Sequence, residues 1–331
     1  MATKRALRSA IFGISLLAFD CEALADQLGR IPDEFETTSG IGSATNNAGA
    51  AATDSFSAIT INPALLTGQK SYVVHGVYHW PTQGRDYYQG GIVDSKLSQV
   101  AAGISYTGFL DDFRYPIDKS GKATAASTSD SPVSRRISFG LAQDFGETSI
   151  GIGGTYVDAK PVFGSEGYLR GDPKQAGFGL NLGAVTGLAP GWSIGASAQN
   201  LAARRISDFA PRIIRVGTAY QVNQLFTAHL ELRQRDRILV FEAPLDLDIA
   251  PMPKELSAPE RMVLASGTLQ VQEYLKIMAS YGTSIADNRR ALAAGVALTN
   301  KNFSLSYSAS RPYLSAATAH QALMLSVEMA M

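Results

Sequence analysis

Val100–Thr107 reads VAAGISYT. Val100, Ala102, Ile104 and Tyr106 make one apolar face, while Ala101, Gly103, Ser105 and Thr107 on the other are small or polar. A period of two is that of a strand, whose successive side chains point to opposite faces. The pattern returns in Ile150, Ile152, Gly154 and Tyr156 against Ser149, Gly151, Gly153 and Thr155. Phe226, Ala228, Leu230 and Leu232 stand likewise against Thr227, His229, Glu231 and Arg233, and Phe303, Leu305, Tyr307 and Ala309 against four serines. Such runs predict strands with one apolar and one polar face.

Outward from there, fourteen segments of this kind fall at about 70–80, 86–95, 97–108, 134–145, 147–158, 177–187, 191–201, 212–222, 225–235, 261–271, 273–283, 290–300, 302–311 and 319–331. Their connections alternate in length. Ser95-Lys96, Gly146, Leu188–Gly191, Asn223-Gln224, Gln272 and Lys301 are short, whereas Phe109–Val133, Asp158–Ala176, Ala202–Pro211, Asp236–Glu260, Ala286–Arg289 and Pro312–Thr318 are longer. Turns at one end and loops at the other are the layout of a transmembrane barrel. Tyr72, Phe145, Trp192, Tyr220, Phe226, Tyr274 and Phe303 fall at the turn ends, and Tyr106, Phe109, Tyr156 and Tyr281 at the loop ends. Two aromatic rings are expected where a barrel meets the two membrane interfaces. A soluble sandwich also alternates, with its apolar face inward. The loop asymmetry, the aromatics and the export features below favour the barrel: all-β, 14-stranded and antiparallel.

The formal net charge is zero and charged residues are 18%, so no basic field points to nucleic acid. No run reaches the ~18 apolar residues of a spanning helix. Met1–Ala25 reads as a signal peptide, with Lys4, Arg5 and Arg8 ahead of the apolar Ala10–Phe19 and the small-x-small Ala23-Leu24-Ala25. The single cysteine, Cys21, lies inside it, so the exported chain is expected to hold no disulfide. The expected setting is the outer membrane of a Gram-negative bacterium, with its lipids, lipopolysaccharide and barrel-assembly machinery as partners.

Polar-face residues of the strands should point into the lumen, and Arg136, Arg215, His229, Glu231, Arg233 and Lys276 have that phase. Arg215, Arg233 or Lys276 could hold a carboxylate head group. Equally, Glu231 and Arg233 could pair with neighbours to fill the lumen or anchor what lies in it. The four histidines show no metal-ligand spacing, the Gly-rich runs lie in strands rather than at a strand-to-helix turn, and no Gly-x-Ser-x-Gly is present. Neither an enzyme nor a metal or cofactor is expected. Gly103, Gly151, Gly153 and Gly183 either leave space inside the barrel or bend its wall.

One stretch fits none of this. Thr38–Gly68, TSGIGSATNNAGAAATDSFSAITINPALLTG, has Asp54 as its one charge and is too rich in small residues to build a core of its own. It suits a plug threaded into a narrow cavity, with a flexible linker as the plain alternative. Ser39-Gly40-Ile41-Gly42, the Ala48–Ala52 run, Asp54 and Asn62-Pro63-Ala64-Leu65 resemble the N-terminal hatch of the FadL/TodX family, outer-membrane channels for long-chain fatty acids and other hydrophobic compounds. Gly91–Ser95 followed by Ala101–Tyr106 resembles that family's second hairpin, and Gln199–Leu201 with Pro211–Tyr220 its later barrel segments. After the signal peptide at 1–25, the resemblance implies a hatch at 26–69 and a barrel at 70–331. Gly40, Gly42, Asp54, Asn62, Pro63 and Ala64 would form the gate. A hydrophobic small molecule would be captured outside, held in the lumen and released sideways as the hatch moves. Asp236–Glu260, with Leu239, Phe241 and Leu245, would serve as the capture loop or else extend its strands upward. Asp26–Phe35 would start in the periplasm or reach into the lumen. The alternative function is a non-transporting barrel that docks a secreted protein.

Overall fold

A computed structural model describes residues 28–30, 39–68, 70–81, 84–114, 135–159, 175–203, 210–236, 239–242, 252–255, 259–285, 290–300, 302–311 and 322–330. The expected signal peptide lies outside them. Among the described residues, fourteen antiparallel strands hydrogen-bond into one closed ring. They are β1 (Tyr72–Pro81), β2 (Gly84–Asp94), β3 (Val100–Arg114), β4 (Arg135–Phe145), β5 (Thr148–Ala159), β6 (Gln175–Ala189) and β7 (Trp192–Leu201). There follow β8 (Ile213–Gln221), β9 (Phe226–Arg235), β10 (Glu260–Gln272), β11 (Leu275–Ser284), β12 (Arg290–Thr299), β13 (Phe303–Arg311) and β14 (Ala322–Ala330). Each strand pairs with its sequence neighbours, and β14 closes on β1 with Ala330 opposite Val73 and Ala322 opposite Pro81. Closure leaves no sheet edge, so the ladder pairs the wall's backbone groups without water.

The alternation carries into burial, but inside out. In β4 the buried residues are Arg136, Ser138, Gly140 and Ala142, and the exposed ones include Ile137, Phe139 and Leu141. Ile104, Ile152, Leu230 and Leu232 stand 53, 49, 53 and 50% exposed, while Ser105, Thr107 and Thr155 are buried. A soluble sandwich would reverse this order. An exterior of this kind suits hydrocarbon rather than water. Phe145, Trp192, Tyr220 and Tyr274 are exposed at the turn ends, and Tyr106, Tyr156 and Tyr281 at the loop ends. The side chain of Phe109 lies outside the described residues.

The turns are built by short polar side chains that bond their own backbone. Asn223 Oδ1 accepts from Leu225 N and Phe226 N, both at 2.8 Å, and Asn300 Oδ1 from Asn302 N and Phe303 N at 2.8 and 2.7 Å. Gly146 and Gly191 take φ of +78° and +76°, the left-handed region that suits glycine.

Two features depart from the sequence reading. β3 runs on to Arg114, where 109–133 reads as a loop, because Gly84 and Arg85 of β2 pair with Arg114 and Phe113. The partner strand supplies hydrogen bonds that a polar sequence does not advertise. Second, Leu239–Glu242 pairs with Met252–Glu255 and with Leu28–Arg30 in a separate three-stranded sheet. Leu239 follows the end of β9 by four residues, at most ~14 Å of chain, so the N-terminal strand sits at the long-loop end.

Candidate functional site

Ser39–Gly68 is enclosed by the ring. Its helix α1 (Gly40–Ala44) touches β11–β14, and its helix α2 (Ser55–Ile61) touches β1–β5 and β7. A 3-10 turn, Pro63–Gly68, packs on β3–β6. The stretch between the helices meets β8, β9 and β10 through Arg215, Glu231, Met262 and Leu264. A segment that touches every side of a closed wall lies inside it.

Both helices begin in one knot of hydrogen bonds. Ser39 caps α1, its Oγ accepting from Gly42 N at 3.0 Å, and Asp54 caps α2, its Oδ1 accepting from Ser57 N at 2.9 Å. Ser39 Oγ donates to Asp54 Oδ2 at 2.7 Å, and Ser39 N to Ser57 Oγ at 3.1 Å. After α1, Asn46 and Asn47 both take the left-handed conformation (φ 52° and 58°), which asparagine tolerates better than most residues. This double turn aims the Asn47 carbonyl at Arg215, whose Nη1 donates to it at 2.9 Å. The next two amides, Gly49 N and Ala50 N, donate to Glu231 Oε2 at 2.9 and 2.8 Å. Glu231 Oε1 accepts from Arg215 Nη1 at 2.9 Å, with both side chains almost wholly buried. A buried ion pair recovers its desolvation cost only when its remaining hydrogen-bonding capacity is used, and here backbone of the enclosed segment uses it. Asn47–Ala50 is thus clasped by a charged catch on β8 and β9.

Elsewhere the grip is apolar and close. Phe56, Ile59 and Leu66 pack on Val73, Val77, Val93, Ala101 and Ala142. Glycines of the wall let backbone in: a Cβ at Gly103 would lie 2.8 Å from Ile59 Cγ1, and one at Gly140 2.9 Å from Leu66 Cδ1. A Cβ at Gly151 would fall on the Pro63–Ala64 backbone, and one at Gly183 on the Asn62 side chain. Gly153 differs, since its Cβ would meet the Phe139 carbonyl of the wall. Asn62 Nδ2 donates to Ala50 O at 2.6 Å and to Ala184 O of β6 at 3.3 Å, and Asn62 Oδ1 accepts from Ala64 N at 3.1 Å. Gln199 Nε2 donates to Thr60 O, Thr67 Oγ1 to Ser149 Oγ at 2.8 Å, and Ser280 Oγ to Ala44 O at 3.0 Å.

The lumen set read from strand phase points inward but divides. Arg215 and Glu231 form the catch, and Arg233 lies on its loop side, donating to Met262 Sδ. His229 and Lys276 line a cavity of ≈ 400 Å³ on the turn side, between Thr45–Asp54 and the β9–β13 wall. His75 and His79 stack on Phe56 and Tyr87 at 4.0 and 4.3 Å between ring centroids. Gly40 and Gly42 are buried in α1, Asp54 ties the two helices, and Asn62, Pro63 and Ala64 seat the segment on β5 and β6. Leu239 and Phe241 fall in the separate small sheet, and Leu245 lies outside the described residues. Sequence reasoning missed Asn46-Asn47, although paired asparagines after a short helical run signal a left-handed turn. It also missed Arg235–Glu260, a buried pair at 3.8 Å.

An antiparallel barrel, apolar outside and enclosing a segment of its own N-terminal region, defines a class of fold. Among solved structures, the chain is similar to the toluene transporter TbuX of Ralstonia pickettii (TM-score 0.58, 13% identity, 89% of this chain and 97% of that one). It is similar also to the toluene transporter TodX of P. putida (0.55, 14%, 89% and 97%) and to a Pseudomonas aeruginosa FadL homologue (0.54, 10%, 91% and 99%). No known family profile and no curated protein matches the sequence. The fold is that of the FadL/TodX channels, as the hatch-like motif implies. Two of these neighbours are described as transporters, not enzymes.

Proposed function

We propose that this chain is a passive outer-membrane channel for hydrophobic small molecules such as long-chain fatty acids or aromatic hydrocarbons, with 26–69 as its hatch and 70–331 as its barrel. One observation carries the reading: within a wall that is apolar outside, Asn47–Ala50 is held by the buried Arg215–Glu231 pair through hydrogen bonds rather than by covalent linkage. Such a contact can be exchanged without unfolding the ring. Cargo enters from the long-loop end, and hatch movement releases it. The family resemblance supports sideways release through the wall for cargo that stays in the membrane. Outer-membrane lipid and lipopolysaccharide surround the apolar exterior, and the barrel-assembly machinery inserts the chain after a signal peptide at 1–25 is removed. The test is uptake of labelled dodecanoate and toluene by cells with and without the gene. Faster uptake of either with the gene is expected, and equal uptake of both overturns the reading.

A further inference from the structure

The enclosed segment fills the ring unevenly. Toward β3–β7 it lies against glycine, with Ile59, Asn62, Ala64 and Leu66 pressed on the wall. Toward β9–β13 the ≈ 400 Å³ cavity lies between Thr45, Ala52 and Thr53 of the segment and Thr268, Gln270 and Lys276 of the wall. That volume is within the range of small-molecule sites, ~300–1,000 Å³. Asn300, in the turn between β12 and β13, also lines it, so the cavity reaches the turn end of the barrel. Its lining is two-sided: Ile41 and Ala52 are apolar, while His229, Thr268 and Lys276 offer polar groups and one cation. Asp54 borders it with its carboxylate committed to Ser39 and Ser57. Between the cavity and the loop side of the hatch stands the Asn47–Ala50 stretch with its catch on Glu231.

We propose that this cavity is a second binding site, for a small amphipathic molecule whose apolar body lies on Ile41 and Ala52 and whose anionic head lies at Lys276, and that such cargo leaves by the turn end when Gly49 and Ala50 let go of Glu231. The proposal rests on the channel reading above. Its physical reason is the head group. A fatty acid can take up a proton before it leaves sideways, but a permanently charged head cannot, and an unpaired charge in hydrocarbon is strongly disfavoured. The turn end leads to water, and a neutral arene has no such need of it.

The test uses purified protein in liposomes and radiolabelled octanesulfonate, whose permanent charge keeps it from crossing lipid unaided. With Cys21 replaced by Ser, Thr268→Cys places a single thiol in the cavity, to be modified in the folded protein with a bulky, reducible methanethiosulfonate. Wild type and unmodified T268C should carry octanesulfonate, the modified protein should lose that uptake, and reduction should restore it. Lys276→Met should lower octanesulfonate uptake, and Lys276→Arg, which keeps the cation, should retain it. Wild-type rates from the fully modified protein, a thiol that does not react in the folded state, or no octanesulfonate uptake by wild type would each overturn the turn-end site. Toluene and dodecanoate uptake by cells is measured separately, so the channel reading stands or falls on its own result.

Discussion

Glu231 has two oxygens with two tasks, one on Arg215 and one on the amides of Gly49 and Ala50. Removing it leaves a buried guanidinium and two buried N–H groups uncompensated, a loss of roughly 3–5 kcal/mol when one partner of a buried pair is deleted. Most of that loss falls on the seating of the enclosed segment, because the wall's ladder does not involve the side chain. Glu231→Ala should therefore raise conductance in planar bilayers while the barrel stays folded, and unchanged conductance would remove the catch from the argument. Gly151 tests the opposite side. A valine there collides with the Pro63–Ala64 backbone, which has no flexible end to swing away. Gly151→Val should expose 39–68 to limited proteolysis in detergent and leave the strands resistant.

At the scale of elements, α1 has five residues and α2 seven. Isolated helices shorter than ~12–15 residues are marginal in water, so these exist because the ring holds them. The dependence runs one way, since the fourteen strands satisfy each other's backbone. Deleting Gly40–Ala64 should leave a folded barrel that leaks small polar solutes, read as a large rise in single-channel conductance. Wild-type conductance would mean that the segment does not obstruct the lumen. The strand Leu28–Arg30 is the weakest element, three residues at the edge of a small sheet, with Gly29 opposite Phe241. Facing residues of an antiparallel pair lie ~4.5–5.5 Å apart at Cα, within disulfide range. With Cys21 replaced by Ser, Gly29→Cys with Phe241→Cys should cross-link on oxidation. Failure would take the N-terminal strand away from the long-loop end.

For the whole molecule, the inverted pattern of burial is the governing fact. Leu230 stands near mid-strand on the outside of β9, and Glu231 beside it is buried inside. Leu230→Arg puts a charge on the lipid face, at a cost of roughly 2–4 kcal/mol at mid-depth. Its folding midpoint in urea with lipid vesicles should fall accordingly. In a protein folding in water the same substitution would be nearly neutral, so the measurement also decides the solvent.

The strands, their inward and outward faces and the end that carries the turns were readable from the chain alone. Alternation, Asn and Gly turn chemistry and loop length act between near neighbours, so a one-dimensional pattern records them. Ser39–Gly42 and Asn62–Leu65 likewise pointed to a segment unlike the strands, because small residues bury too little to stand by themselves. The tertiary structure decided the rest. Arg215 and Glu231 lie sixteen residues apart, but the amides they secure are some 180 residues away in sequence, brought near only when the ring closes around the segment. The enclosed segment also gives neighbours different surroundings: Glu231 meets the amides of Gly49 and Ala50, while His229, two residues away on the same face, lines the cavity with Lys276. Closure likewise sets the N-terminal strand beside a loop more than 200 residues distant. Phase along a strand states which way a side chain points; only the packed ring states what it meets.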